Sequence, residues 1–427
     1  MTALTDHPLR YDLANELHAR PFPSLTAPCR AAYLAIKRPH DAVARDRDAD
    51  RAHLLALLDR FGAVHPQPNA THYFGQIGRY HLKWESHTEF VTYTIFGDGV
   101  AERPFDHATF DVFPEDWLAE APGVRMTSAL IRVEQLPEGE ADISQKLSDW
   151  FVSESLAVSS VLEGSALIAS DFRIDMAGHV RFALFVRPST GPRRIGRIVQ
   201  RLTEIETYKT MSMLGLPRAR TLSAQLGQID PQISALVGDM TAGGQSPADA
   251  LHRLLEMSAD LEQMQAANAF RFGATAAYEA LVTQRIEALR EERFKGGQTF
   301  REFMMRRFDP AMRTVRSTEA RLRSTTERAG RAAELLRTQV DVARSAQNQA
   351  LLESMDRRAD LQLRLQETVE GLSVVAISYY AVSLVGYLAY PLSEPLGLSK
   401  GMLTAMITPV VVLVVWLLIR RIRRGVH

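Results

Sequence analysis

The distribution of apolar positions changes three times along the chain. Between about residues 23 and 188, short apolar runs alternate with amphipathic ones. "RAAYLAIKR" predicts a strand, and "HDAVARDRDADRAHLLALLDRFG" predicts a helix with Leu54, Leu55, Leu57 and Leu58 inward and Gly62 as its stop. "THYFGQIGRYHLKWESHTEFVTYTIFGDG" alternates with period two. Tyr80, Leu82 and Trp84 fall on one side and His81, Lys83 and Glu85 on the other, the pattern of hairpins. "VRMTSALIRVEQ", "GSALIASDFRID" and "HVRFALFVRP" predict further strands. Residues 1–190 therefore read as an α+β domain, long enough to bury a core of its own.

After Gly191 strand signals fade and helical spacing takes over. Residues 191–309 read as a helical region. Ser246, Pro247 and Asp249 supply a cap, a first-turn proline and a first-turn acid, and Asp309 with Pro310 repeats the device. From there to Tyr390 the chain holds no proline and few glycines, so a single helix of about 80 residues, about 120 Å long, can run through a stalk at 310–370 into the tail. Val315, Leu322, Ala329, Leu336, Ala343 and Ala350 recur every seven residues, with Ala333 and Val340 four positions on. This coiled-coil stripe suits packing either on the chain's own helices between 247 and 308 or on another subunit.

The tail, residues 371–427, holds the long uncharged runs at 371–392 and 401–419, each long enough to cross a hydrocarbon core of about 30 Å. The short linker carries Glu394 and Lys400, whereas Arg420, Arg421, Arg423 and Arg424 follow the second run. That asymmetry predicts a two-helix transmembrane hairpin with both termini cytoplasmic. The first 22 residues lack the apolar core and small-residue cleavage site of a signal peptide, which agrees with a cytoplasmic N-terminus.

Composition narrows the chemistry. Fifty basic residues balance fifty acidic ones, so bulk charge gives no ground for a nucleic-acid partner. The lone Cys29 excludes an internal disulfide and a cysteine-based zinc cluster. Nine of the twelve histidines precede residue 108, yet none shows helical zinc-ligand spacing. They read either as solvated or structural side chains or as a metal or phosphate site. "ANELHARPFP" offers His18 and Arg20 as an anion or partner site, or else forms a short docked helix. "TAGGQSP" and "FKGGQTF" lack the Gly-Lys-Ser/Thr of a phosphate loop and read as turns, and Gly-x-Ser-x-Gly is absent. No catalytic constellation or cofactor motif stands out, so no enzyme activity is expected.

"HPLRYDLANELHARPFPSL", "WESHTEFVTYTIF" and "ETVEGLSVVAISYYAVSLVGYL" resemble a bacterial family of uncharacterised membrane-anchored proteins, across nearly the whole chain. The overall plan is similar to that of CorA-type divalent-cation channels: a cytoplasmic α+β domain, helices, a long stalk, two C-terminal spans and a basic tail. That resemblance implies a homo-oligomer built through the stalk and the first span, in a bacterial inner membrane, handling a divalent cation. Where such channels carry Gly-Met-Asn, this chain reads Gly386-Tyr387-Leu388. At about 100° per residue, Thr368, Gly371, Ser378, Tyr379 and Gly386 share one sector of the first span, as a pore lining or a helix-packing seam. The expected function is cation transport; the alternative is a non-conducting scaffold or sensor with a cytoplasmic ligand- or partner-binding domain.

Overall fold

A computed structural model describes residues 4–11, 13–14, 22–39, 45–242, 246–389, 391 and 399–426. Among them, nine strands make one sheet: β1 (Cys29–Lys37), β2 (His72–Ile77), β3 (Tyr80–Ser86), β4 (Phe90–Asp98), β5 (Val124–Gln135), β6 (Ala157–Val161), β7 (Ala166–Ser170), β8 (Val180–Val186) and β9 (Glu292–Arg293). Their spatial order is β2-β3-β4-β1-β5-β8-β7-β6-β9. The β5–β8 pair is parallel and the other pairs are antiparallel, so the sheet is mixed.

Both faces of the sheet are covered, which explains why β1 is buried at nearly every position. Ala32, Leu34 and Ile36 face a core completed by Leu54, Leu57 and Leu58 of α1 (Arg47–Arg60) and Trp117 of α2 (Glu115–Ala119). Farther along the sheet, Ile143 and Leu147 of α3 (Glu140–Trp150) pack against β6, β7 and β8. Ala31, Tyr33 and Ala35 face the opposite core, which takes Ile195, Ile198, Val199, Leu202 and Ile205 from α4 (Pro192–Met213). Each fully buried Leu or Ile contributes about 1.5–3 kcal/mol. His53 belongs to this scaffold: its ring stacks on Trp117 at 3.9 Å, Nε2 lies 2.9 Å from the Trp117 carbonyl, and burial pushes its pKa down.

Four further helices complete the larger compact unit, wholly or in part. They are α5 (Gly215–Ala242), α6 (Pro247–Glu287), α7 (Phe300–Arg307) and α8 (Asp309–Ala389). Contacts divide the chain into one unit of Met1–Gly244 with His252–Ala332, and another of Gln245–Leu251 with Ala333–His427. The first unit therefore joins the α/β region to most of the residues expected as a separate helical region, through α4 on the sheet face and β9 at the sheet edge. Thr299 caps α7 with Glu302 in a reciprocal capping box, a pattern visible in "TFRE".

The long helix expected from the absence of proline is α8, 81 residues. Met312, Val315, Thr318, Leu322, Thr325, Ala329, Ala332 and Leu336 form its buried stripe, at steps of three and four. Beyond that point Ala343 and Ala350 are exposed. The final part of α8 and the separate α9 (Lys400–Val426) each contain an apolar stretch long and uncharged enough to cross a membrane.

Candidate functional site

On the α4 side of the sheet, the apolar core gives way to polar groups toward β3. Register makes the reason plain. Lys83 pairs with Thr94, which pairs with Tyr33; Glu85 pairs with Thr92, which pairs with Ala35. These two cross-strand rows bring Lys83, Glu85, Thr92, Thr94 and Tyr33 onto one face, and α4 lies over them. Lys83 and Thr92 are 4% exposed and Tyr33 is 3% exposed. The polar side of the β3 alternation thus points into the protein.

α4 answers with polar side chains of its own. Lys83 Nζ donates to Gln200 Oε1 at 2.8 Å and lies 3.2 Å from the Glu85 carboxylate. The Tyr33 and Thr207 hydroxyls are hydrogen-bonded to each other. Thr127 donates to Glu206 at 3.1 Å. Gln200 Nε2 donates to Glu204 at 2.8 Å, and Arg285 of α6 forms an ion pair with the same carboxylate. Beside these groups is a cavity of about 360 Å³, lined by Tyr33, Glu85, Gln200, Glu204, Thr207 and Arg285 together with Phe22, His87, Phe90, Thr92, Arg201, Tyr208 and Gln284. The size lies near the lower end of small-molecule sites, about 300–1,000 Å³.

A charged cluster extends behind the cavity wall. The Tyr208 ring stacks on Tyr278 at 5.7 Å, and the Tyr278 hydroxyl donates to Glu89 at 3.1 Å. Glu89, 1% exposed, also pairs with Arg271 and with Lys37 at 3.8 Å. Burial lowers the Lys37 pKa, opposed by Glu89, and raises that of Tyr278, helped by the same carboxylate. Burial also pushes the Tyr33 hydroxyl well above its ordinary range.

Arg201 stands apart from the paired charges. Its Nη1 donates to the Ala288 carbonyl at 2.8 Å. Burial lowers its pKa, and the neighbouring Arg197, Arg285 and Arg290 lower it further, with Glu204 opposing. Arg285 is paired with Glu204 and Arg290 with Glu163, so Arg201 and Arg197 are the cations here that form no ion pair among the described residues.

Phe22 reaches the site through a close backbone crossing. A Cβ on Gly196 of α4 would lie 1.7 Å from the Pro23 carbonyl oxygen, and the Leu25 N–H donates to the Pro192 carbonyl at 3.1 Å. Only glycine at 196 lets the 22–26 segment lie against the helix.

The residues singled out in the sequence have other placements. His18 and Arg20 lie outside the described residues. Among the described residues, no group of three or more His, Cys, Asp or Glu side chains is arranged to hold a metal ion. Of the first-span sector, Ser378 is buried and Gly386 partly covered, whereas Thr368, Gly371 and Tyr379 are exposed. The covered stripe runs through Val374, Ser378, Val382 and Gly386 at steps of four, as does a partly covered stripe on α9 through Leu403, Ile407, Val411, Val415 and Ile419. Steps of four drift around a helix, so the five residues do not share one environment. The Ser378 hydroxyl, unlike those of Ser373 and Ser383, has no hydrogen-bond partner among the described residues.

The family model described as Protein of unknown function (DUF3422) matches residues 5–426, and the chain belongs to that family. Neither a curated protein nor a solved structure matches the chain.

Proposed function

We propose that this chain is a membrane-anchored receptor whose larger unit binds a small polar molecule in the cavity between the sheet and α4. The observation that carries the reading is the polar, buried half of a sheet face that is otherwise apolar core. Buried ion pairs add little stability over apolar packing of the same volume, and often less, so a fold that needed only a core would fill this space with Leu and Ile. Such departures from a consistent apolar interior are expected at functional sites.

The two apolar helical stretches serve as the anchor in this reading, with both termini cytoplasmic as the arginines after Ile419 suggest. The test is a mixed-charge fragment screen by thermal shift on the full-length protein in nanodiscs, repeated on Thr92→Phe, which fills the cavity. Binding that disappears in the filled variant supports the receptor. A screen with no binder, or binders indifferent to Thr92→Phe, sinks it.

A second reading, cation conduction on the CorA-like plan, is favoured by the unpartnered Ser378 hydroxyl within the first apolar stretch. Magnesium and cobalt flux into proteoliposomes, blocked by Ser378→Leu, would support it. Loaded vesicles that stay tight with wild-type protein would remove it.

A further inference from the structure

We infer that the cavity takes a small aromatic carboxylate, with the Nε–Nη2 edge of Arg201 gripping the carboxylate and Thr92 donating from the floor. This deepens the receptor reading and rests on it.

The charges lining the cavity are matched except at one point. Glu85 is paired with Lys83, and Glu204 with Arg285 and Gln200. Arg201 forms no ion pair among the described residues, the nearby Glu204 being taken up by Arg285, and its Nη1 is already committed to the Ala288 carbonyl. What remains is the Nε–Nη2 side of the guanidinium, two parallel N–H donors whose spacing matches the two oxygens of a carboxylate. Arg197, which forms no ion pair among the described residues, adds positive potential around it, whereas Arg285 and Arg290 are paired with Glu204 and Glu163. An anion relieves that repulsion, and a cation adds to it.

A second observation points to the same ligand. The Thr92 hydroxyl opens onto the cavity and makes no side-chain hydrogen bond to any described residue. A hydroxyl that opens onto a cavity can donate to whatever fills it. A ligand oxygen supplies the partner.

The rest of the wall selects the body of the ligand. Phe90 and Tyr208 present ring surface to the cavity, with His87 stacked on Phe90 at 4.4 Å and Phe22, half exposed, beside them. Such walls favour a flat apolar ring over a polyol or a bare inorganic anion.

The experiment is calorimetry on the full-length protein in nanodiscs with benzoate, 4-hydroxybenzoate, benzamide and inorganic phosphate. The benzoates are expected to bind, benzamide and phosphate at least about tenfold more weakly, because hydrogen bonds to a charged partner carry the difference. Arg201→Gln should weaken benzoate about 10- to 100-fold. Arg201→Lys, which keeps the charge and loses the fork, should weaken it by an intermediate factor at an unchanged melting temperature. Benzamide binding as well as benzoate overturns the inference, as does benzoate binding indifferent to Arg201→Lys. Phosphate binding without benzoate binding overturns the aromatic carboxylate too. If only cationic or neutral fragments fill the cavity, the inference fails and the receptor stands; if no fragment of any charge binds, the receptor fails as well.

Discussion

At the scale of single residues, burial decides chemistry. Cys29 is 3% exposed, and burial with the nearby Asp98 pushes its thiol up to about 12. The thiolate is the reactive form, so this cysteine should be inert at pH 8. Iodoacetamide should leave native protein unmodified and label it once denatured; rapid labelling of the native chain would contradict the placement. Glu89 is the opposite case, a buried carboxylate that organises its surroundings. It holds Arg271, Lys37 and Tyr278 together, and the Lys37 and Arg271 side chains are 7% and 14% exposed. Glu89→Gln leaves the buried Lys37 and the partly buried Arg271 without this counter-charge, a loss of about 3 kcal/mol. Chemical denaturation should read that difference, and a loss under about 1 kcal/mol would mean water already serves the cluster.

At the scale of elements, much of the larger unit was legible. The strands around Tyr33, Leu82, Ile131 and Phe182 follow period two or short apolar runs, and the α8 stripe through Val315, Leu322 and Ala329 follows the heptad. The cavity was not legible. Lys83 and Glu85 carry the polar half of an alternation, and Gln200, Glu204 and Thr207 carry the polar face of a helix, which in sequence both read as water-facing. Only the register of β3 on β4 and the position of α4 turn the two faces toward each other. β9 was unreadable because two residues carry no period. The clasp between α5 and α8 was equally hidden, since it joins residues about ninety positions apart. Asp230 accepts from Arg321 at 2.6 Å, Arg328 at 2.6 Å and Thr325 at 2.9 Å. Burial alone would raise its pKa, but these hydrogen bonds and charges outweigh it and hold the carboxyl below its ordinary value. A carboxyl depressed in the folded state adds stability above its unfolded pKa, about 3.9 for Asp, and loses it as pH falls through the folded value. Asp230→Asn should therefore cost about 1–2 kcal/mol at pH 7, limited because Arg321 and Arg328 remain 40% and 46% exposed. The gap between the two melting curves should hold down to about pH 5 and shrink below about pH 4. A gap that widens on acidification would reverse the assignment.

At the scale of the whole molecule, the second half of α8 raises the question of what covers it. From 341 to 369 every residue is exposed, among them Leu351, Leu352, Met355, Leu361, Leu363 and Leu365. Helices draw most of their stability from packing an apolar face, and this stretch packs against none of the described residues. The covered stripe ends at Leu336, yet Ala343 and Ala350 continue its seven-residue spacing. Acids and arginines are interleaved along the same stretch, as at Glu353 and Arg357, so an identical helix is a charge-compatible partner. A second copy of the chain is therefore the expected cover, with small alanines allowing close approach. In a Cys29→Ser background, Ala343→Cys and Ala350→Cys should cross-link two full-length copies in native membranes. Ser345→Cys, about 200° around the helix from 343, should do so far less. Equal cross-linking at all three positions would mean random collision, and none at any would leave α8 alone. A product heavier than one chain but not twice its mass would identify a different partner on the stripe and overturn the homo-oligomer.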